Sequence, residues 1–142
     1  MQIAEGEPKG DRYVCFGTDA VTTTKRHITA IVPQLGATRF VHHISLFEAP
    51  ASYDPNPAEC SAQQDVSWRI LYEWAPGNGP FLLPREAGFP VGPLTHYVVQ
   101  IHYANVRNAG TTQDSSGFAM CTTDALRPND ADVVAFGTRQ FT

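Results

Sequence analysis

The sequence predicts an all-β fold, an antiparallel β-sandwich or jelly roll, in a single domain spanning residues 1–142. Three observations carry this. Eleven Gly and eleven Pro are spread along the chain and punctuate short segments rich in Val, Ile, Thr, Phe and Tyr, the pattern of strands bounded by turns. No stretch holds a helical repeat for more than a turn or two. Strands at regular spacing usually pack as two antiparallel sheets.

Strands are expected at 12–16, 27–33, 38–47, 66–74, 97–103, 117–122 and 133–137, each closed by turn residues. The segment 78–92, with Pro80, Pro84 and Pro90 among Gly79, Gly88 and Gly92, reads as an irregular loop, and so does 49–65. Loops of this length often cover or rim sites.

Bulk composition excludes several classes of function. Hydrophobic residues make up 42% and charged residues 17%, and no apolar run approaches the roughly 20 residues of a membrane span. A globular chain without a membrane span is expected. With a formal charge of −4 and ten scattered Lys and Arg, no basic patch suits a phosphate backbone, so no nucleic-acid partner is expected. The opening MQIAEGEPKG lacks a basic region followed by an apolar stretch, so no signal peptide is read there.

In the strand around 95–103, period two puts His96, Val98, Gln100 and His102 on one face. Tyr97, Val99, Ile101 and Tyr103 take the other. The second set is a core face. The first carries polar groups that are costly to bury unpaired, so His102 needs something to bind.

The sharpest local signal is Val41-His42-His43-Ile44. Adjacent strand residues point to opposite faces, so one metal ion can hold both imidazoles only where the strand twists or sits at an edge. Bonding through the ring nitrogen nearer the backbone helps neighbouring histidines converge. On the pair alone, a satisfied core His42 and a solvent-facing His43 explain the strand equally well. His102 supplies a third imidazole. Three imidazoles without thiolate or carboxylate suit copper or zinc, and the affinity series places divalent copper above zinc.

Successive pieces of the chain resemble, in order, motifs of the ascorbate-dependent copper monooxygenases, the family of peptidylglycine α-hydroxylating monooxygenase and dopamine β-hydroxylase. Arg12-Tyr13-Val14-Cys15 is similar to Thr-Tyr-x-Cys, His27-Ile28 to His-Ile, and Val41-His42-His43-Ile44 to Val-His-His-Met. Tyr72-Glu73-Trp74-Ala75-Pro76-Gly77 resembles Ala-Trp-Ala-x-Gly, and 84–92 resembles Pro-x-x-x-Gly-x-x-x-Gly. Gln100-Ile101-His102-Tyr103-Ala104-Asn105 is similar to Gln-Val-His-Tyr or Glu-Val-His-Tyr-x-Asn, and Asp114-Ser115-Ser116-Gly117 to Asp-x-Ser-Gly.

The resemblance implies that His42, His43 and His102 bind the electron-supplying copper, with Gln100 and Tyr13 close to it. It implies ascorbate or a similar external reductant. It also implies a disulfide between Cys15 and Cys60, closing a loop that chain-entropy reasoning values at about 4 kcal/mol. The family's other disulfide is not expected, because Ala49 stands where its first cysteine would be. Cys121 is then expected as a buried free thiol. A disulfide implies an oxidising compartment, periplasmic or secreted. His27 is expected to be structural, His96 exposed, and Met120 a core side chain.

In that family a following domain holds a second, oxygen-activating copper through a His-x-His pair and a methionine. This chain contains no His-x-His, so it is not expected to hydroxylate alone, and its expected partner is such a domain on the same natural chain. Two alternatives stay open: a stand-alone copper carrier or sensor, and a zinc hydrolase with three histidines and an open water position. The hydrolase lacks a general base, because Glu48 and Glu73 read as solvated side chains away from the metal.

Overall fold

The computed structural model describes residues 2–3, 11–62, 65–104 and 112–134, and among these there is no helix. The strands are β1 (Gln2–Ile3), β2 (Asp11–Val21), β3 (Arg26–Gln34), β4 (Val41–Ala49), β5 (Ala58–Glu59) and β6 (Arg69–Trp74). They continue with β7 (Phe81–Leu82), β8 (Ala87–Val91), β9 (Leu94–Ala104), β10 (Thr112–Gln113), β11 (Gly117–Thr123) and β12 (Asn129–Asp130).

One five-stranded sheet runs β5-β2-β9-β4-β6, antiparallel throughout. The second runs β11-β3-β8-β12, with β7 also on β3. Its β12–β8 pair is parallel, a departure from the purely antiparallel expectation. β1 and β10 pair apart from both sheets. Val14, Ile44, Leu46, Val99 and Ile101 of the first sheet share one buried cluster with Ile28, Ile31, Phe89 and Val91 of the second. The β-branched side chains that favour a pleated strand thus also fill the layer between the sheets.

The first sheet is covered on its other face too. Phe47, Ala49, Val98 and Cys15 form a second buried cluster with Tyr53, Cys60, Trp68 and Ile70 from the segment after β4 and the start of β6. The Cys15–Cys60 disulfide, with Cα atoms 5.8 Å apart, ties this cover to β2. The Cys60 N–H donates to the Tyr13 carbonyl at 3.0 Å, and the Gly17 N–H to the Asp54 carbonyl at 2.7 Å. A Cβ at Gly17 would lie 2.3 Å from the Tyr53 carbonyl oxygen, so only glycine lets the cover approach this closely.

The two faces of β9 fall as the sequence reading has them, and the cover buries the outer one as well: every residue from Tyr97 to Tyr103 is buried, Gln100 and His102 included. Three expectations are corrected. Segment 78–92 holds β7 and β8 rather than an irregular loop; β12 pairs with Ala87 and Gly88 and β3 with Phe89, Pro90 and Val91, so among the described residues Pro90 has a strand neighbour on one side only. Val133 and Val134 are not strand residues, and 135–137 lie outside the described residues. Cys121 is a free thiol but an exposed one, because among the described residues β11 is an edge strand paired only with β3.

Candidate metal centre

The outer face of the first sheet is a ladder of cross-strand rows. Tyr13, His102 and His43 form one row across β2, β9 and β4. Cys15, Gln100, Ser45 and Glu73 form the next, which extends onto β6. Gly17, Val98, Phe47 and Ile70 follow, and Asp19, His96 and Ala49 come last.

His42 joins the first row through a backbone irregularity. Val41 pairs with Tyr103 and His43 with His102, so His42 is the extra residue of a β-bulge. A bulge opposes two residues to one and twists the strand locally, which is how neighbouring side chains reach one side of a sheet. The ring centroids lie 5.4 Å apart for His42 and His43, and 4.8 Å for each of them from His102. His42 Nδ1 and His43 Nδ1 are 3.2 Å apart, and one nitrogen from each ring lies within 4.8 Å of the other two.

These three side chains span exposed, half-buried and buried positions in the order His42, His43, His102. Neither ring nitrogen of His102 has a hydrogen-bond partner, although both are buried. Asp11 Oδ1 comes within 3.1 Å of His102 Nε2 but outside hydrogen-bond alignment, a charge near the ring rather than a satisfied donor. Burial lowers the His43 pKa, the Glu73 carboxylate opposes that shift, and His102 and His42 add to it. His43 is therefore biased towards the neutral imidazole that a metal requires.

The surroundings hold this end of the sheet in place. Tyr13 stacks on His102 with ring centroids 4.3 Å apart and planes 1° from parallel, so it walls the row from the β2 side. Asp114 is buried and accepts hydrogen bonds from Tyr103 Oη at 2.5 Å, the Ala37 N–H at 2.7 Å and Ser116 Oγ at 2.8 Å. One carboxylate thus ties the residue after His102 to the turn that leads into His42 and His43. Burial pushes the Asp114 pKa up, but the bonds from Tyr103, Ala37 and Ser116 outweigh it and hold the group below its usual value.

Gln100 sits one row away. It is 1% exposed, donates to the Ser61 carbonyl at 2.9 Å and lies 3.8 Å from Cys15 Sγ. Its amide thus anchors the cover rather than an imidazole. Ser45 Oγ donates to Glu73 at 2.9 Å, which places Glu73 diagonally from His43; its side chain is exposed, as read from the sequence, but lies nearer the cluster than that reading had it. Asp11 and Glu73 were missed because their nearness depends on strand register, which spacing along the chain does not reveal.

The other histidines have partners. His27 is 1% exposed, with Nε2 on Asp130 at 2.8 Å and Nδ1 accepting the Arg127 N–H at 3.0 Å, a structural role. His96 is half-buried rather than exposed and contacts Asp19 and Ser52. Met120 packs against the main core.

The cluster fits one metal ion. Metal–nitrogen bonds of about 2.0–2.1 Å place ligand nitrogens about 3–4 Å apart, close to the spacing of the neighbouring pair. His102 also carries two buried nitrogens that the protein leaves unsatisfied, a costly arrangement without a ligand.

A β-sandwich with an all-imidazole cluster on one covered sheet has the form of a candidate metal-binding domain. Residues 2–110 match the family described as "Copper type II ascorbate-dependent monooxygenase, N-terminal domain", and the chain belongs to this family. It is 30% identical to dopamine beta-hydroxylase of Rattus norvegicus over 140 residues, covering 88% of this chain and 22% of the relative. It is also 30% identical to tyramine beta-hydroxylase of Caenorhabditis briggsae over 121 residues, covering 78% of this chain and 21% of the relative. With dopamine beta-hydroxylase of Equus caballus the identity is 27% over 139 residues, 88% of this chain and 23% of the relative. The chain therefore spans between a fifth and a quarter of the length of these relatives.

Proposed function

We propose that residues 1–142 act as one copper-binding domain in which His42, His43 and His102 hold a single copper ion, and that this domain supplies electrons to a second, oxygen-activating copper domain on the same natural chain. The chemistry that copper supplies when bound is a one-electron couple, reloaded by ascorbate or a similar reductant. One observation carries the reading: both buried nitrogens of His102 lack a partner where the bulged His42-His43 pair comes to meet them. Membership of a copper- and ascorbate-dependent family supports the metal and the reductant.

The residues divide the work. His102 and His43 sit on paired strands, so their spacing is set by the sheet and needs little rearrangement when charge changes. Tyr13 fixes the plane of His102 by stacking, as outer partners of a metal ligand commonly do. The disulfide supports an oxidising compartment, periplasmic or secreted.

The test is a copper titration followed by electron paramagnetic resonance, using the chain and its His42→Ala, His43→Ala and His102→Ala variants. One equivalent of copper with nitrogen ligation is expected, and each variant should weaken binding by more than about 100-fold, beyond the range typical of outer partners. The loaded chain with ascorbate and dopamine or tyramine should be reduced without hydroxylating either amine. Efficient hydroxylation by the chain alone refutes the electron-supplying role, and tight binding without electron exchange points to a carrier instead.

A further inference from the structure

Glu73 carries a negative charge whose position follows from the ladder of rows. Its row partner Ser45 is 0% exposed, so the Ser45 hydroxyl has few destinations, and it donates to Glu73 Oε2 at 2.9 Å. Ser45 follows His43 by two residues on the same face of β4, and Glu73 pairs with Ser45 across the edge of the sheet. Glu73 is thus the diagonal neighbour of His43, a relation that places Cβ atoms within about 7–8 Å. The cations of the described ion pairs go elsewhere: Arg12 to Glu59, Lys25 to Asp130, and Arg69 to Glu48 and Asp132.

We propose that Glu73, held by Ser45, is a positioning residue that lowers the reduction potential of the centre formed by His42, His43 and His102. The inference rests on the copper reading above. Three neutral imidazoles leave the ion's charge intact, +2 when oxidised and +1 when reduced by one electron from an electrode or an ascorbate-class donor. A nearby carboxylate attracts the higher charge more strongly, so it favours the oxidised form. Glu73 is exposed, and the hydroxyl bond matters because it holds that carboxylate in one orientation on the His43 side of the edge strand.

The experiment is a spectroelectrochemical titration of the copper-loaded chain, with the affinities of both oxidation states measured by competition, for wild type, Glu73→Gln, Glu73→Asp and Glu86→Gln. Glu73→Gln keeps an acceptor for Ser45 and removes only the charge. It should weaken the oxidised form relative to the reduced form by about three- to tenfold and raise the potential, tenfold being about 59 mV for one electron. Glu73→Asp should restore most of the wild-type potential. Glu86→Gln, which removes one charge near β8 on the other sheet, should leave it unchanged. The shift should shrink in 1 M salt, where screening acts over about 3 Å. An unchanged potential in Glu73→Gln overturns the proposal, and so does equal weakening of both oxidation states, which marks a purely structural role. Wild type that binds no copper overturns the metal reading itself, a result the affinity titration separates from the first two.

Discussion

His102 and His96 lie on the same strand and the same face, separated by the rows of Gln100 and Val98, and the fold treats them oppositely. His96 Nδ1 sits 2.8 Å from Asp19 Oδ1 and 3.2 Å from Ser52 Oγ, and Ser52 also donates to Asp19 at 2.8 Å. His102 is more deeply buried, has no hydrogen-bond partner, and faces two other imidazoles. A histidine's role therefore follows from what its nitrogens lack. A satisfied ring holds a structure together, whereas a buried unsatisfied one is a candidate ligand.

The largest effect should come from opening the cover between the two ends. Cys60→Ser removes a bridge spanning 45 residues and should lower unfolding free energy by about 4 kcal/mol, read by urea denaturation. If stability is unchanged, the cover does not depend on the bridge and the two ends are not separated by it.

The next test contrasts the histidines directly. His102→Leu should abolish copper binding yet leave the metal-free protein as stable as wild type or about 1 kcal/mol more stable, because it removes unsatisfied buried nitrogens. A loss of several kcal/mol in metal-free thermal unfolding would show that His102 is a structural residue.

Asp114→Asn sharpens the comparison by loosening only the metal end. Three bonds to a carboxylate are weakened, at a cost of about 2 kcal/mol near neutral pH. The sign with pH follows from the depressed Asp114 pKa: its contribution is present above the unfolded value of about 3.9 and disappears as pH falls through the lower folded value. The variant should therefore show a flatter loss of stability below about pH 4 than wild type. The smallest effect belongs to His96→Ala, which breaks a partly exposed pair and should change thermal unfolding little, with copper affinity unaltered.

Much of this molecule was legible in its residues. The strands carrying Tyr13, His27, His43, Tyr72, His102 and Met120 follow from β-branched and aromatic runs between Gly and Pro, since that pattern expresses a local preference. The pairing of His42 and His43 with a distant His102 was also readable, with the condition that the strand must twist. β8 was hidden by Gly88 and Pro90, residues that speak against a strand until the short reach of β12 is known. The exposed Cys121 was misread because burial on an edge strand depends on what lies beside it.

Local chemistry determined that this chain would be built from strands and would offer three imidazoles, because side-chain shape and ring nitrogens belong to individual residues. Only tertiary structure decided that a bulge would turn His42 towards its neighbours, that a disulfide-bound cover would bury the outer face of β9, and that Glu73 would stand diagonally from His43. Each of those outcomes depends on register between strands far apart in the chain, and register is an energy shared among many contacts that no single segment contains.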